Sequence, residues 1–158
     1  MTRGMNTPGS KEEFLSVINE MFSEKIPFNK LLGLKIESMT AECVKVSFRM
    51  REDLMGHWKR GMVHGGVISS VIDVTGGLAA FMGVQEKMDK TPEAKFARFT
   101  RVSTIDLRVD FLRPGLGEAF TATAYPLRTG SRIAVTRTEL SNEKEELIAV
   151  GTGSYTVA

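Results

Sequence analysis

Gly61-Met-Val-His-Gly-Gly-Val-Ile-Ser-Ser-Val-Ile-Asp-Val-Thr-Gly-Gly-Leu-Ala-Ala80 is the stretch whose reading decides the fold. It opens on a tight His64-Gly65-Gly66 turn and continues as an apolar run broken by one charge, Asp73. At about 3.6 residues per turn, Gly66, Ser69, Ser70, Asp73, Gly76, Gly77 and Ala80 share one face, all small except the acid. Val67, Val71, Val74 and Leu78 fill a flank, with Ile68, Ile72 and Ala79 beside them. A helix apolar nearly all round is a buried helix. Interrupted by Asp73 and its glycines, the run reads as too short to span a bilayer.

A carboxylate in the middle of a buried helix is costly unless it is paired or put to use. Asp73 is therefore either a satisfied structural acid or a reactive group. The turn ahead of it favours the second reading. A Gly-Gly turn entering a helix leaves backbone N–H groups free at the positive end of the helix, a ready site for an oxyanion. Gly65 and Asp73 are eight residues apart, roughly 12 Å at about 1.5 Å of rise per residue. That is too far for both to act on one carbonyl from the same chain. A second copy of the helix, antiparallel and packed on the small-residue face, brings Asp73 of one chain near Gly65 of the other. The spacing thus predicts a two-fold homodimer with shared sites.

With Asp73 nine residues after the histidine of His64-Gly65-Gly66, the stretch resembles the PaaI-like acyl-CoA thioesterases of the hotdog fold. Thr104-Ile-Asp-Leu-Arg-Val-Asp-Phe-Leu-Arg-Pro114 is similar to the strand that follows in that family, and Thr129-Gly-Ser-Arg-Ile-Ala-Val135 to its later Gly-Arg strand. The likeness runs over residues 27–157 and is nearest to the YigI-like group of medium- and long-chain acyl-CoA thioesterases. It implies an α+β chain with a curved antiparallel sheet wrapped around one long helix. It also implies an acyl-CoA substrate and a dimer or a dimer of dimers.

The resemblance carries roles onto particular residues. Asp73 becomes nucleophile or general base, and the Gly65 N–H becomes the oxyanion donor. His64 shapes the turn and contacts substrate, with Gly66 and Val67 beside it. Thr104 falls on a Ser/Thr position that orients the attacking water, although a strand hydroxyl bonded to its sheet is an equal alternative. Arg113, Pro114, Ser131 and Arg132 fall on strands flanking the CoA pocket, where arginine suits phosphate. The family also carries an Asn before the turn. His57 or Trp58 occupies that place here, and His57 is preferred because imidazole hydrogen-bonds and moves protons near neutral pH.

Composition narrows the alternatives. A chain of 158 residues, 42% apolar and 25% charged, is long enough for one domain with a real core. A net charge of +2 gives no nucleic-acid signal. Cys43 is the one cysteine, so no internal disulfide is possible, and a reducing compartment suits it. With two histidines and no ligand cluster, neither a metal nor another cofactor is expected. No secretory signal is visible and no membrane partner is implied, so a cytoplasmic location is expected.

Along the chain, residues 1–9 read as a loose tail. Ser10 and Glu13 then form a capping box. Phe14, Val17, Ile18, Met21 and Phe22 follow at helical spacing, an amphipathic helix ending before Pro27. That helix either covers a core or acts as a flap over a ligand tunnel, and residues 1–26 are set apart from a domain of residues 27–158. A turn-like segment at 28–34 precedes strands at 35–40 and 43–50. Residues 51–60 read as a polar loop. The central helix is expected to end near Gly83. The link at 84–101 carries Lys87, Lys90, Lys95, Arg98 and Arg101 against Glu86, Asp89 and Glu93; it is either a solvated helix or loop or a place for nucleotide phosphates. Residues 102–157 alternate as strands throughout.

Two rivals to the hydrolase remain. A hotdog dehydratase needs a His–acid pair, and His64 and Asp73 lie too far apart along one helix. A non-catalytic acyl-CoA-binding protein is the other. No nicotinamide fingerprint, P-loop or nucleophile elbow is present.

Overall fold

A computed structural model describes residues 10–85, 87 and 91–158. The expected tail at 1–9 lies outside the described residues, as do Glu86, Asp89 and Lys90 of the basic link.

The chain is α+β and has the hotdog arrangement. Helix α3 (Gly65–Gln85) lies in the concavity of a six-stranded sheet of β1 (Lys35–Met39), β2 (Val44–Arg49), β5 (Ser103–Phe111), β6 (Ala119–Thr129), β7 (Ile133–Asn142) and β8 (Leu147–Thr156). The spatial order is β1-β2-β6-β7-β8-β5, every pairing antiparallel. Alternation decides which face meets the helix. Val44, Val46 and Phe48 of β2 and Phe120, Ala122 and Ala124 of β6 point inward and are buried. In β8 the inward positions are Ala149, Gly151, Gly153 and Tyr155. These small residues let α3 sit close to the sheet: a methyl at Gly151 would collide with Ile72. Truncating a core aromatic such as Phe81 or Phe48, both essentially inaccessible, would cost about 3–5 kcal/mol.

Several expectations change. The small face of α3 divides. Gly76 and Ala80 are buried, and a methyl at Gly76 would collide with the Tyr155 hydroxyl, so these positions serve the sheet and not a second helix. Gly66, Ser69, Ser70, Asp73 and Gly77 keep an open side. The helix also runs to Gln85, beyond the expected Gly83. At 21 residues with mean hydropathy 1.7 it is long and apolar enough to cross a membrane, contrary to the sequence reading. Its apolar surface is spent on the sheet, which makes it the core helix.

Among the described residues four α-helices occur where two were expected. Helix α1 (Lys11–Glu20) is N-capped by Ser10, whose Oγ accepts the Glu13 N–H at 3.1 Å. It passes into a π-helical turn, Met21–Lys25. Residues 28–34 are mostly helical and not a bare turn: α2 (Pro27–Leu32) starts on Pro27 and stops at Gly33, which takes the left-handed C-cap conformation at φ 69°. The basic link contains α4 (Pro92–Phe99), capped by Thr91. The polar loop at 51–60 proves to be a 3-10 turn, Glu52–Leu54, leading into a ribbon of β3 (Met55–His57) and β4 (Met62–Val63). Strands this short show too little alternation to be read from sequence. The N-terminal segment shares the main core. Phe14, Ile18 and Phe22 are buried in it, and the Phe81 ring meets Phe14 tilted at 6.1 Å and Phe99 edge-to-face at 5.1 Å.

Candidate active site

Asp73 sits on the open side of α3, facing the start of β5. There the β5–β8 register slips between Thr104 and Asp106, leaving Ile105 as the extra residue of a bulge. Bulges re-aim neighbouring side chains, and Thr104 points at the helix. Its Oγ1 donates to Asp73 Oδ1 at 2.9 Å. From beneath, the Tyr155 hydroxyl donates to the backbone carbonyl of Asp73 at 3.0 Å. Burial pushes the Tyr155 phenol well above its usual range, and the Asp73 charge adds to the shift. The phenol is therefore a fixed donor at neutral pH.

The carboxylate opens on a cavity of about 400 Å³. Its polar end consists of Asp73, Ser103, Thr104 and Tyr155. Its apolar walls come from Met21, Phe22 and Ile26 before the sheet, Leu78 of α3, and Phe99 and Val102 around α4. Asn29 closes one side, and its amide nitrogen donates to the Phe22 carbonyl at 3.0 Å.

The start of α3 forms a separate group. The His64 ring folds over the first turn and its Nδ1 accepts the Gly66 N–H at 2.8 Å. A ring accepting at Nδ1 is neutral and carries its proton on Nε2. A side chain at Gly66 would place its Cβ 2.9 Å from that nitrogen, so glycine is needed for the ring to close. The Gly66 amide is thus committed to His64. The Gly65 N–H has no acceptor among the described residues, and the Phe111 ring flanks it, 3.4 Å from where a Gly65 Cβ would stand. His64, Gly66 and Val67 border a second cavity of about 420 Å³, closed on its far side by Phe28 and Leu31 of α2.

The remaining residues singled out in the sequence fall in three places. Arg113 donates from Nη1 to the Leu147 carbonyl at 2.9 Å, and Pro114 leads into Gly115, which packs on Val63 and Ile68; this pair lies beside the start of α3. Ser131 lies at the other end of the helix. It borders a cleft of about 710 Å³ with Lys87, Arg98, Arg101 and Thr129. Arg98 spans the cleft floor, donating to the carbonyls of Val157 and Ser131, and Lys87 Nζ donates to Thr129 Oγ1 at 2.6 Å. Arg132 is exposed outside the cleft lining. His57 sits at the tip of the β3–β4 ribbon beside Trp58, which is 78% exposed. Neither residue lines the Asp73 cavity or the turn cavity within one chain.

One chain therefore joins Asp73 to Thr104 but holds the Gly65 turn apart from both. The sequence reading missed Tyr155, Phe111, Phe99 and Ile26, while Met21 and Phe22 belong to the helix it offered as either a core cover or a flap over a ligand tunnel. A signal for Tyr155 was present: Gly151 and Gly153 alternate inward ahead of it, clearing space for a large ring under a helix.

Comparison with known proteins points to one family. The model of the thioesterase superfamily matches residues 60–149. The medium/long-chain acyl-CoA thioesterase YigI of Escherichia coli is 41% identical over 92% of this chain and 95% of its own. A protein of Shewanella oneidensis related to the thioesterase superfamily superimposes with a TM-score of 0.89 at 42% identity, covering 93% of this chain and 97% of that one. A solved chain from Syntrophus aciditrophicus gives 0.85 at 55% identity, over 94% and 98%.

Proposed function

This chain belongs to the thioesterase superfamily, and from that premise we propose that it hydrolyses acyl-CoA to a free acid and CoA, with Asp73 as the reacting carboxylate. The observation that carries the reading is the Asp73 carboxylate, bonded to the Thr104 hydroxyl and opening on an apolar cavity. An acyl chain belongs in such a cavity, with its thioester carbon at the polar end.

Two routes fit that geometry. In the first, Asp73 takes a proton from a water that Thr104 helps to orient, and the oxygen of that water bonds to the thioester carbon. The carbonyl oxygen becomes an oxyanion, then re-forms its double bond as the C–S bond breaks, and the proton returns to the CoA sulfur. In the second, Asp73 itself bonds to the carbon, expelling thiolate, and water then cleaves the resulting anhydride. Both need a fixed donor for the oxyanion, worth about 10²–10³ in rate. The unpartnered Gly65 N–H supplies it from a second copy of the chain.

The open side of the molecule supports that dimer. Strand β5 is one of the two sheet edges, with Ile105 53% and Phe111 54% exposed. Exposed edges of this length invite pairing. On the adjoining face of α3, Ser69 and Ser70 turn their hydroxyls back onto the Gly65 and Gly66 carbonyls, at 3.0 and 2.7 Å. That leaves a low surface for another helix. The CoA nucleotide is assigned to the basic cleft at Ser131, Arg98, Arg101 and Lys87, about 20 Å along the α3 axis from Asp73.

The test is thiol release from a panel of acyl-CoA substrates by wild type and Asp73→Asn. The amide keeps the shape of the side chain but can neither take a proton nor attack, so kcat should fall by at least about two orders of magnitude. Binding of a non-hydrolysable acyl-CoA analogue should survive. Near-normal kcat in a folded Asp73→Asn enzyme ends the assignment.

A further inference from the structure

The family model begins at residue 60, yet one wall of the Asp73 cavity is made by Met21, Phe22 and Ile26, ahead of that match. What brings these three residues together is the π-helical turn at Met21–Lys25, closed by an N–H of Ile26 bonding the Met21 carbonyl at 3.1 Å. In an α-helix the residues stacked on Met21 would be those three and four positions on, Glu24 and Lys25. The wider turn puts Ile26 there instead. Glu24 and Lys25 are turned to solvent, where they pair with Lys30 and Glu20 at 3.4 and 3.3 Å. Single π-helical turns concentrate at functional sites, and this one converts a charged helix face into an apolar wall.

The wall is also held in place. Phe22 is 3% exposed and packed in the core. The buried Asn29 amide donates to the Phe22 carbonyl at 3.0 Å, tying α2 to the π-helical turn. Met21 lines the same cavity and is only half-buried. An unbranched thioether side chain adapts to occupants of different size.

We propose that Met21, Phe22 and Ile26 close the acyl cavity and read the length of the acyl chain, so that the π-helical turn is the specificity element of this enzyme. The proposal rests on the acyl-CoA reading of the same cavity. Each methylene denied a place in the cavity costs about fourfold in binding. Filling the wall with Met21→Trp should therefore lower the ratio of kcat/KM for hexadecanoyl-CoA to that for hexanoyl-CoA by about tenfold or more, since two or more methylenes lose their place. Ile26→Ala, which enlarges the cavity, should move the ratio the other way, and it supplies the reading if the tryptophan variant does not fold. A ratio unchanged from wild type in a folded variant, with all chain lengths scaled alike, overturns the proposal. If wild type hydrolyses no acyl-CoA, the thioesterase reading fails separately. The length selectivity is then read by calorimetry as relative affinity for hexadecanoate and hexanoate. A shift with Met21→Trp or Ile26→Ala sustains the proposal, and none refutes it.

Discussion

The Tyr155 hydroxyl reaches the backbone carbonyl of Asp73 from below the helix, at 3.0 Å, lying where a side chain of Gly76 would stand while the ring flanks Gly77. The phenol thus sets how deeply α3 sits on the sheet at the residue proposed to react. Gly76 is required because the hydroxyl occupies the place its side chain would take. Position, more than charge, is what Tyr155 supplies.

Tyr155→Phe removes that donor and little else. A buried hydrogen bond contributes about 0.5–1.5 kcal/mol net, so urea unfolding should show a loss of that size. Thioester turnover should fall about fivefold through kcat, the same energy expressed as rate, with KM little changed. The pH dependence has a definite sign. The phenol is raised above its usual range, by burial first and by the Asp73 charge second. Its stabilisation is therefore complete below about pH 10, where a free phenol ionises, and is lost as pH rises further. The stability advantage of wild type over Tyr155→Phe should hold at neutral pH and erode in alkali. An advantage that instead grew with alkali would contradict the buried donor.

Much of this site was legible because its parts are local. The buried helix followed from apolar residues on every side of one charge, and its start from the His64-Gly65-Gly66 turn; that His64 caps the Gly66 N–H did not. The inward faces of β2 and β6 followed from alternation, but on β5 Ile105 and Phe111 are exposed despite it. What was not legible is what depends on contacts distant in sequence. Whether Gly76 faces a second helix or the sheet is decided by Tyr155, a residue on the last strand. Helical periodicity cannot distinguish a small residue that makes room for a neighbouring chain from one that makes room for a ring. The π-helical turn is a second case. Met21 and Ile26 are five apart, a spacing an α-helical template rejects, so Ile26 falls outside the pattern that holds Met21 and Phe22. In the link at 84–101 the sequence leaves helix or loop open, because the helical pattern of α4 is short and mixed with charge.

The basic cleft at the far end of α3 carries its own expectation. Lys87 and Arg101 are exposed at its rim, while Arg98 is engaged with backbone carbonyls. If CoA lays its phosphates here, Arg101→Ala and Lys87→Ala should each raise KM for acyl-CoA about fivefold, the worth of a modest charged contact. They should leave KM for the matching acyl-pantetheine, which has no nucleotide, where it is in wild type. Raised salt should raise KM for acyl-CoA in wild type and do so less in the variants. Equal effects on the two substrates would remove the nucleotide from this cleft.

The last expectation concerns the separation of Gly65 from Asp73, which decides whether a site belongs to one chain or two. They lie on one unbroken helix, Gly65–Gln85, so roughly 12 Å of helix stands between them, and no rearrangement of a single chain closes that gap while α3 is intact. Two copies related by a two-fold axis would form two sites, each with Asp73 from one chain and the Gly65 N–H from the other. An Asp73→Asn chain keeps a good turn. A Gly65→Pro chain keeps a good acid and loses an N–H at the first helical position, where proline is well tolerated, its added ring coming to ordinary contact distance of Phe111. In a heterodimer of the two, one site collects both lesions and the other collects neither. A heterodimer purified through two different tags should thus recover about half the wild-type activity per dimer, from parents that are each nearly inactive. Sites confined to single chains would contain one lesion each and recover nothing. Activity of the purified heterodimer no higher than either parent, with both variants folded and dimeric, would place the oxyanion donor somewhere other than the turn of a second chain.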